Sequence, residues 1–214
     1  MRERTGIDCR SRLKRRVLEN FLGCFIDLEI KGQLPGKGPL IVVFNHNSTK
    51  VRYPIFGLVA LCSKWPVNKV AFLRHPPGVY GSFPGFLLSS LEILGATGIP
   101  TTHGGMRNAT EHLEDGNILL MAPEGKGNEE GRLTPGRNGA AWLARVTKAP
   151  ILPVGIEYDP SCRDLDILTG RLGVGVNIGM PFGLEFSGRD KEQLREATER
   201  IMLEIASLLP DSRK

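Results

Sequence analysis

Two stretches of polar, chemically capable side chains stand directly after apolar runs. Asn45-His46-Asn47-Ser48 follows the run at 40–44, and Pro123-Glu124-Gly125-Lys126 follows the run at 118–122. An imidazole takes and returns a proton near neutral pH, a carboxylate holds such a ring in one tautomer, and a lysine holds an anion as a point charge. In open α/β sheets sites form beyond the carboxyl ends of the strands, and both stretches have that place if the runs before them are strands.

The hydrophobic pattern predicts that they are. Leu-Ile-Val-Val-Phe at 40–44 is a continuous apolar, β-branched run of the kind that forms a strand buried on both faces. Further strands are expected at 27–31, 69–73, 98–101, 118–122, 151–158 and 172–178. Helices are expected at 54–63, 84–95, 107–116 with Gly116 as its stop, 137–147 and 190–209. Residues 8–26, with Leu13, Val17, Phe21 and Phe25 at steps of four and Arg12, Lys14, Arg15 and Arg16 in the first turns, are expected to form a basic amphipathic helix. Its apolar face either packs on the domain or lies in a bilayer interface. Strands alternating with helices, with no repeat and no linker, predict a single α/β domain over 1–214, its central sheet mostly parallel or mixed and flanked by helices.

Composition removes several classes of function. The chain has 214 residues, 41% hydrophobic and 24% charged, enough for a full core without staples. Cys9, Cys24, Cys62 and Cys162 are scattered, with no C-x-x-C pair and no close Cys/His set, so neither structural zinc nor a disulfide framework is expected. The start is charged and every apolar run is shorter than a spanning helix needs, which predicts neither a signal peptide nor a membrane-spanning helix. Gly173-Val-Gly-Val-Asn-Ile-Gly179 has the spacing G-x-G-x-x-x-G and alternates as a strand, so no nucleotide cofactor is expected. His75, in a turn, and His112, in a helix, read as structural.

Net charge is +5, but residues 1–75 hold 14 Lys and Arg against 5 Asp and Glu, and no acidic side chain lies between Glu29 and Glu92. Such a field attracts an anionic partner: nucleic acid, an anionic lipid surface or a phosphorylated substrate. No recognition helix, aromatic platform or known motif supports nucleic acid.

With these blocks in order, the sequence resembles the glycerolipid acyltransferases typified by bacterial lysophosphatidic-acid acyltransferase. Phe44-Asn45-His46-Asn47-Ser48 resembles the start of that family's His-x4-Asp motif. Leu94-Gly-Ala-Thr-Gly-Ile-Pro100 ahead of Gly104-Gly105, Ala122-Pro-Glu-Gly125, Gly139-Ala-Ala-Trp-Leu-Ala144, Ile151-Leu-Pro-Val154 and Ile178-Gly-Met-Pro181 resemble the later blocks. The resemblance spans roughly residues 39–182. It implies transfer of a fatty acyl group from acyl-CoA or acyl-carrier protein to the hydroxyl of a lysolipid such as 1-acylglycerol 3-phosphate. The thioester serves as co-substrate, with no metal and no cofactor. It further implies a peripheral site on the cytoplasmic face of an anionic membrane.

By the same resemblance His46 is the general base and Glu124 helps to bind the acceptor; both are taken as catalytic. Asn45, Ser48, Gly125, Lys126, His103 and Arg137 contact substrate. Three departures bear on this. Val51 stands where the family has the aspartate that orients the histidine, and Tyr53 is no substitute. His103 replaces an arginine, and Glu-Gly-Thr-Arg becomes Glu124-Gly-Lys-Gly127. Loss of the orienting acid from a serine-protease triad lowers turnover on the order of 10^4-fold, so Glu124 or a backbone carbonyl is expected to orient His46. Lys126, Arg132, Arg137, Arg107, Lys50 and Arg52 are the cations available for an acceptor phosphate. The alternative is a family member with impaired turnover that acts as a lipid-binding or interaction protein.

Overall fold

The computed structural model describes residues 26–46, 55–62, 64–66, 69–74, 96–127, 129–159, 161–162, 172–188 and 190–214. Seven strands form one sheet: β1 (Ile26–Lys31), β2 (Leu40–Phe44), β3 (Val70–Arg74), β4 (Thr97–Pro100), β5 (Ile118–Met121), β6 (Ile151–Tyr158) and β7 (Leu172–Ile178). Their order is β1-β7-β6-β2-β5-β3-β4. Every neighbouring pair is parallel except β6 with β7. The sheet is therefore mixed, by a single antiparallel pair. The parallel block ends its strands at one edge, where Asn45-His46 and Pro123-Glu124 emerge side by side.

The period of two in each strand sorts the core into two layers. Leu40, Val42, Ile118, Leu120, Leu152 and Val154 face one layer, closed by Leu58, Leu61 and Cys62 of α1 (Ile55–Cys62). Ile41, Val43, Leu119, Met121 and Ile151 face the other. That layer is covered by α2 (His103–Glu114), α3 (Gly139–Thr147) and α4 (Lys191–Ser207). Ile41, Val43, Leu119, Ile151 and Leu152 have no exposed surface. Burying such a side chain stabilises the fold by about 1.5–3 kcal/mol. The continuous apolar runs follow from this two-sided cover.

All seven expected strands are present within a residue of either end, and four expected helices are found. Two boundary differences have local reasons. Ile26, expected at the end of a helix, opens β1 opposite Leu172. The helix expected at 107 starts at His103, because Thr102 Oγ1 accepts from Gly105 N at 3.1 Å and caps it. Gly105 is required there: a Cβ would stand 1.7 Å from the Pro100 carbonyl oxygen. The antiparallel β6–β7 pair is the other refinement of the expected sheet. Residues 8–25 and the helix expected at 84–95 lie outside the described residues.

Candidate active site

The site grows from the end of β2. Its ladder with β6 stops at Phe44 opposite Val154, and the Asn45 side chain continues it. Asn45 Nδ2 donates to Ile156 O at 3.1 Å and Asn45 Oδ1 accepts from Ile156 N at 2.7 Å. An amide side chain thus takes the place of a peptide unit, satisfying both polar groups of a residue deep in the sheet. Asn45 is 3% exposed. The resemblance places it against substrate; in the fold both ends of its amide are engaged by Ile156, which fixes the chain just before His46.

His46 is half-buried, and its main-chain N–H donates to Glu124 Oε1 at 2.6 Å. Glu124 follows β5, the strand beside β2, and is 4% exposed. A carboxylate this deep needs donors to replace water. Its other oxygen, Oε2, accepts from Thr134 N and Thr134 Oγ1, both at 2.7 Å. Glu124 and His46 are therefore joined through the histidine's main-chain N–H, a different contact from the expected hold of the carboxylate on the imidazole ring.

Between Glu124 and α3 the chain leaves the sheet and returns. Gly125, with φ of +75°, sits in the left-handed region as its N–H donates to Ala122 O at 3.1 Å. Arg137 N donates to Pro123 O at 2.8 Å and closes the loop. The Arg137 side chain then lies over Gly125: a Cβ there would meet Nε at 3.0 Å and Cζ at 3.2 Å. The exposed Lys126 follows. Gly125 and Arg137 are thus brought together beside Glu124.

Other candidates are placed elsewhere. His103 opens α2 after β4, which stands three strand positions across the sheet from β2. It lines the end of a groove of about 860 Å³ between α2 and α3, whose walls include Met106, Trp142, Val146 and Leu194. Arg107 pairs with Glu111 at 3.0 Å and Arg132 with Glu130 at 3.4 Å, both on the surface. His112 Nε2 lies 3.1 Å from Ile118 O, a structural contact as expected. Ser48, Lys50, Val51, Arg52, Tyr53 and His75 fall outside the described residues. Among the described residues no three His, Cys, Asp or Glu side chains gather as a metal site, and no helix is long and apolar enough to cross a membrane. Thr134 is missed by sequence reasoning, since a threonine ten residues beyond Glu124 in a polar loop carries no one-dimensional signal.

The family model described as Acyltransferase matches residues 25–157. The chain belongs to the acyltransferase family. Among solved structures it is similar to the 1-acyl-sn-glycerophosphate (LPA) acyltransferase PlsC from Thermotoga maritima, with a TM-score of 0.62 and 20% identity. The match covers 92% of this chain and 78% of that one. At that identity the likeness carries the fold. No curated protein matches the chain.

The matched span of this acyltransferase-family chain holds Asn45, His46, Glu124, Thr134, Arg137 and Ile156. The antiparallel strand β7 and helix α4 lie beyond it. The hydrogen-bonded constellation thus lies entirely within the span that matches the family model.

Proposed function

We propose that this family member moves a fatty acyl group from a coenzyme A or acyl-carrier-protein thioester to the hydroxyl of a lysolipid such as 1-acylglycerol 3-phosphate. The observation that carries this reading is His46 at the end of β2, half-buried and tied through its N–H to the buried carboxylate of Glu124 at 2.6 Å. A hydroxyl is a poor nucleophile until a base takes its proton as it attacks. In the reaction the His46 imidazole accepts that proton while the acceptor oxygen bonds the thioester carbonyl carbon. The carbon–sulfur bond breaks as the tetrahedral intermediate collapses, and the thiolate recovers the proton from the imidazolium.

Arg137 over Gly125, with Lys126 next in the turn, supplies positive charge for an acceptor phosphate where the family's arginine is absent. Guanidinium binds phosphate as a fork and ammonium as a point charge. The basic first third of the chain favours an anionic membrane surface, each cation near such a surface contributing about 1 kcal/mol. Attachment is peripheral, on the cytoplasmic face.

Val51 in place of the orienting aspartate favours a second reading: a lipid-binding member with impaired turnover. Thiol release separates the two. Acyl-CoA and acyl-carrier-protein donors are paired with several lysolipid acceptors, and the wild type is compared with His46→Ala. Acceptor-dependent release lost in the variant is the result expected of the transferase. Absence of release with every pair, together with intact binding to anionic liposomes, establishes the second reading instead.

A further inference from the structure

We propose that Thr134 is a positioning residue for acyl transfer, holding the cation-bearing loop in register with His46 through the shared carboxylate of Glu124. This inference rests on the reading of the site just given. Glu124 divides its oxygens between two segments: Oε1 takes the His46 N–H after β2, and Oε2 takes both donors of Thr134 on the returning limb of the loop. Three residues further on, Arg137 N donates to Pro123 O and its side chain lies on Gly125. The base and the cations therefore share one anchor.

The hydroxyl of Thr134 has a distinct part. Its N–H alone fixes one point of the limb, whereas N–H and O–H together fix the carboxylate plane against it. The same plane presents Oε1 to His46. Without the hydroxyl the carboxylate can turn, and the two segments lose their common reference.

The test compares Thr134→Val, which keeps shape and backbone donor but removes the O–H, with Thr134→Ser, which restores it. Loss of a hydrogen bond to a charged group predicts a fall of about 10- to 100-fold in kcat/KM for the acceptor in Thr134→Val. Thr134→Ser should recover activity to within about threefold. Hydrogen exchange supplies a readout independent of turnover. The His46 amide is expected to exchange about tenfold faster in Thr134→Val, while the amides of Ile41 to Val43 stay protected.

A merely structural threonine would instead lower the melting temperature and loosen the whole sheet, with kinetic constants per folded molecule unchanged; that result overturns the proposal, as does an unaltered His46 amide. If wild type turns over no donor and acceptor pair, the acyl-transfer reading fails and the exchange measurement alone decides the tether. Should Thr134→Val not fold, Thr134→Ala, which also keeps the N–H, takes its place with the same expectations.

Discussion

The main-chain N–H of His46 and the side-chain Oε1 of Glu124, on neighbouring strand ends, are 2.6 Å apart. Both oxygens of this buried carboxylate meet N–H donors, one from His46 and one from Thr134. In Glu124→Gln an amide NH2 must face one of them, donor against donor. A buried polar group left unsatisfied costs about 1–3 kcal/mol. Glu124→Gln is therefore expected to lose that much stability in urea titrations and to abolish measurable thiol release. A variant with full activity would remove Glu124 from the machinery.

Asn45 yields a prediction of opposite emphasis. Asn45→Ala leaves the N–H and C=O of Ile156 unpaired in the sheet. At about 1–3 kcal/mol for each such group, a loss of roughly 2–6 kcal/mol is expected. Asn45→Asp still accepts from Ile156 N but sets a carboxylate against Ile156 O, so it should not rescue. Urea midpoints of the two variants check this. Wild-type stability in Asn45→Ala would return the residue to a role at the substrate.

What could be read along the chain is what short-range pattern encodes. The strand at 40–44 announces itself because both faces are covered, which leaves an unbroken apolar run. Gly116 announces the end of α2 because the turn there needs its φ of +77°. Lys148 does the same work after α3 at φ of 57° with no such signal. The start of α2 was hidden because His103-Gly104-Gly105 has poor helix propensity, and only Thr102's cap and the tight approach of Gly105 to Pro100 explain it. His46 and Glu124 were legible as strand-end groups. Their joining through a backbone N–H, the turning of Asn45 onto Ile156 and the part of Thr134 were not, since each depends on which strands lie side by side.

Cys62 offers a pH test of the core beneath α1. Burial pushes its thiol up from 9.0 to about 12. The native thiol should thus resist alkylation at pH 8, as mapped by mass spectrometry, and react once urea unfolds the chain. The folded chain retains a proton that the unfolded chain releases above pH 9. Stability is therefore unaffected by this group below pH 9 and falls as pH rises from 9 toward 12, by at most about 1.4 kcal/mol per pH unit. In Cys62→Ala that part of the slope should vanish from urea titrations, and an unchanged slope would assign it to other groups.

Gly125 tests whether Arg137 serves the acceptor. Its φ of +75° is adverse to any side chain, and an alanine methyl would press on Arg137 Nε at 3.0 Å. Gly125→Ala is expected to lose about 1–2 kcal/mol from backbone strain and to displace the guanidinium. Lys126→Ala, which touches no such packing, should raise the acceptor KM more than it lowers kcat, and an unchanged KM would exclude the lysine from acceptor binding. If Gly125 acts on the acceptor through Arg137, Gly125→Ala should raise KM severalfold in the wild-type background but hardly at all in Arg137→Ala, since neighbouring residues on one path are not additive. Equal rises in the two backgrounds would show that the methyl does not act through the arginine. Kinetics with a phosphate-bearing lysolipid beside a phosphate-free alcohol then identify the charge that the arginine reads. Only the phosphate-bearing acceptor should respond to Arg137→Ala.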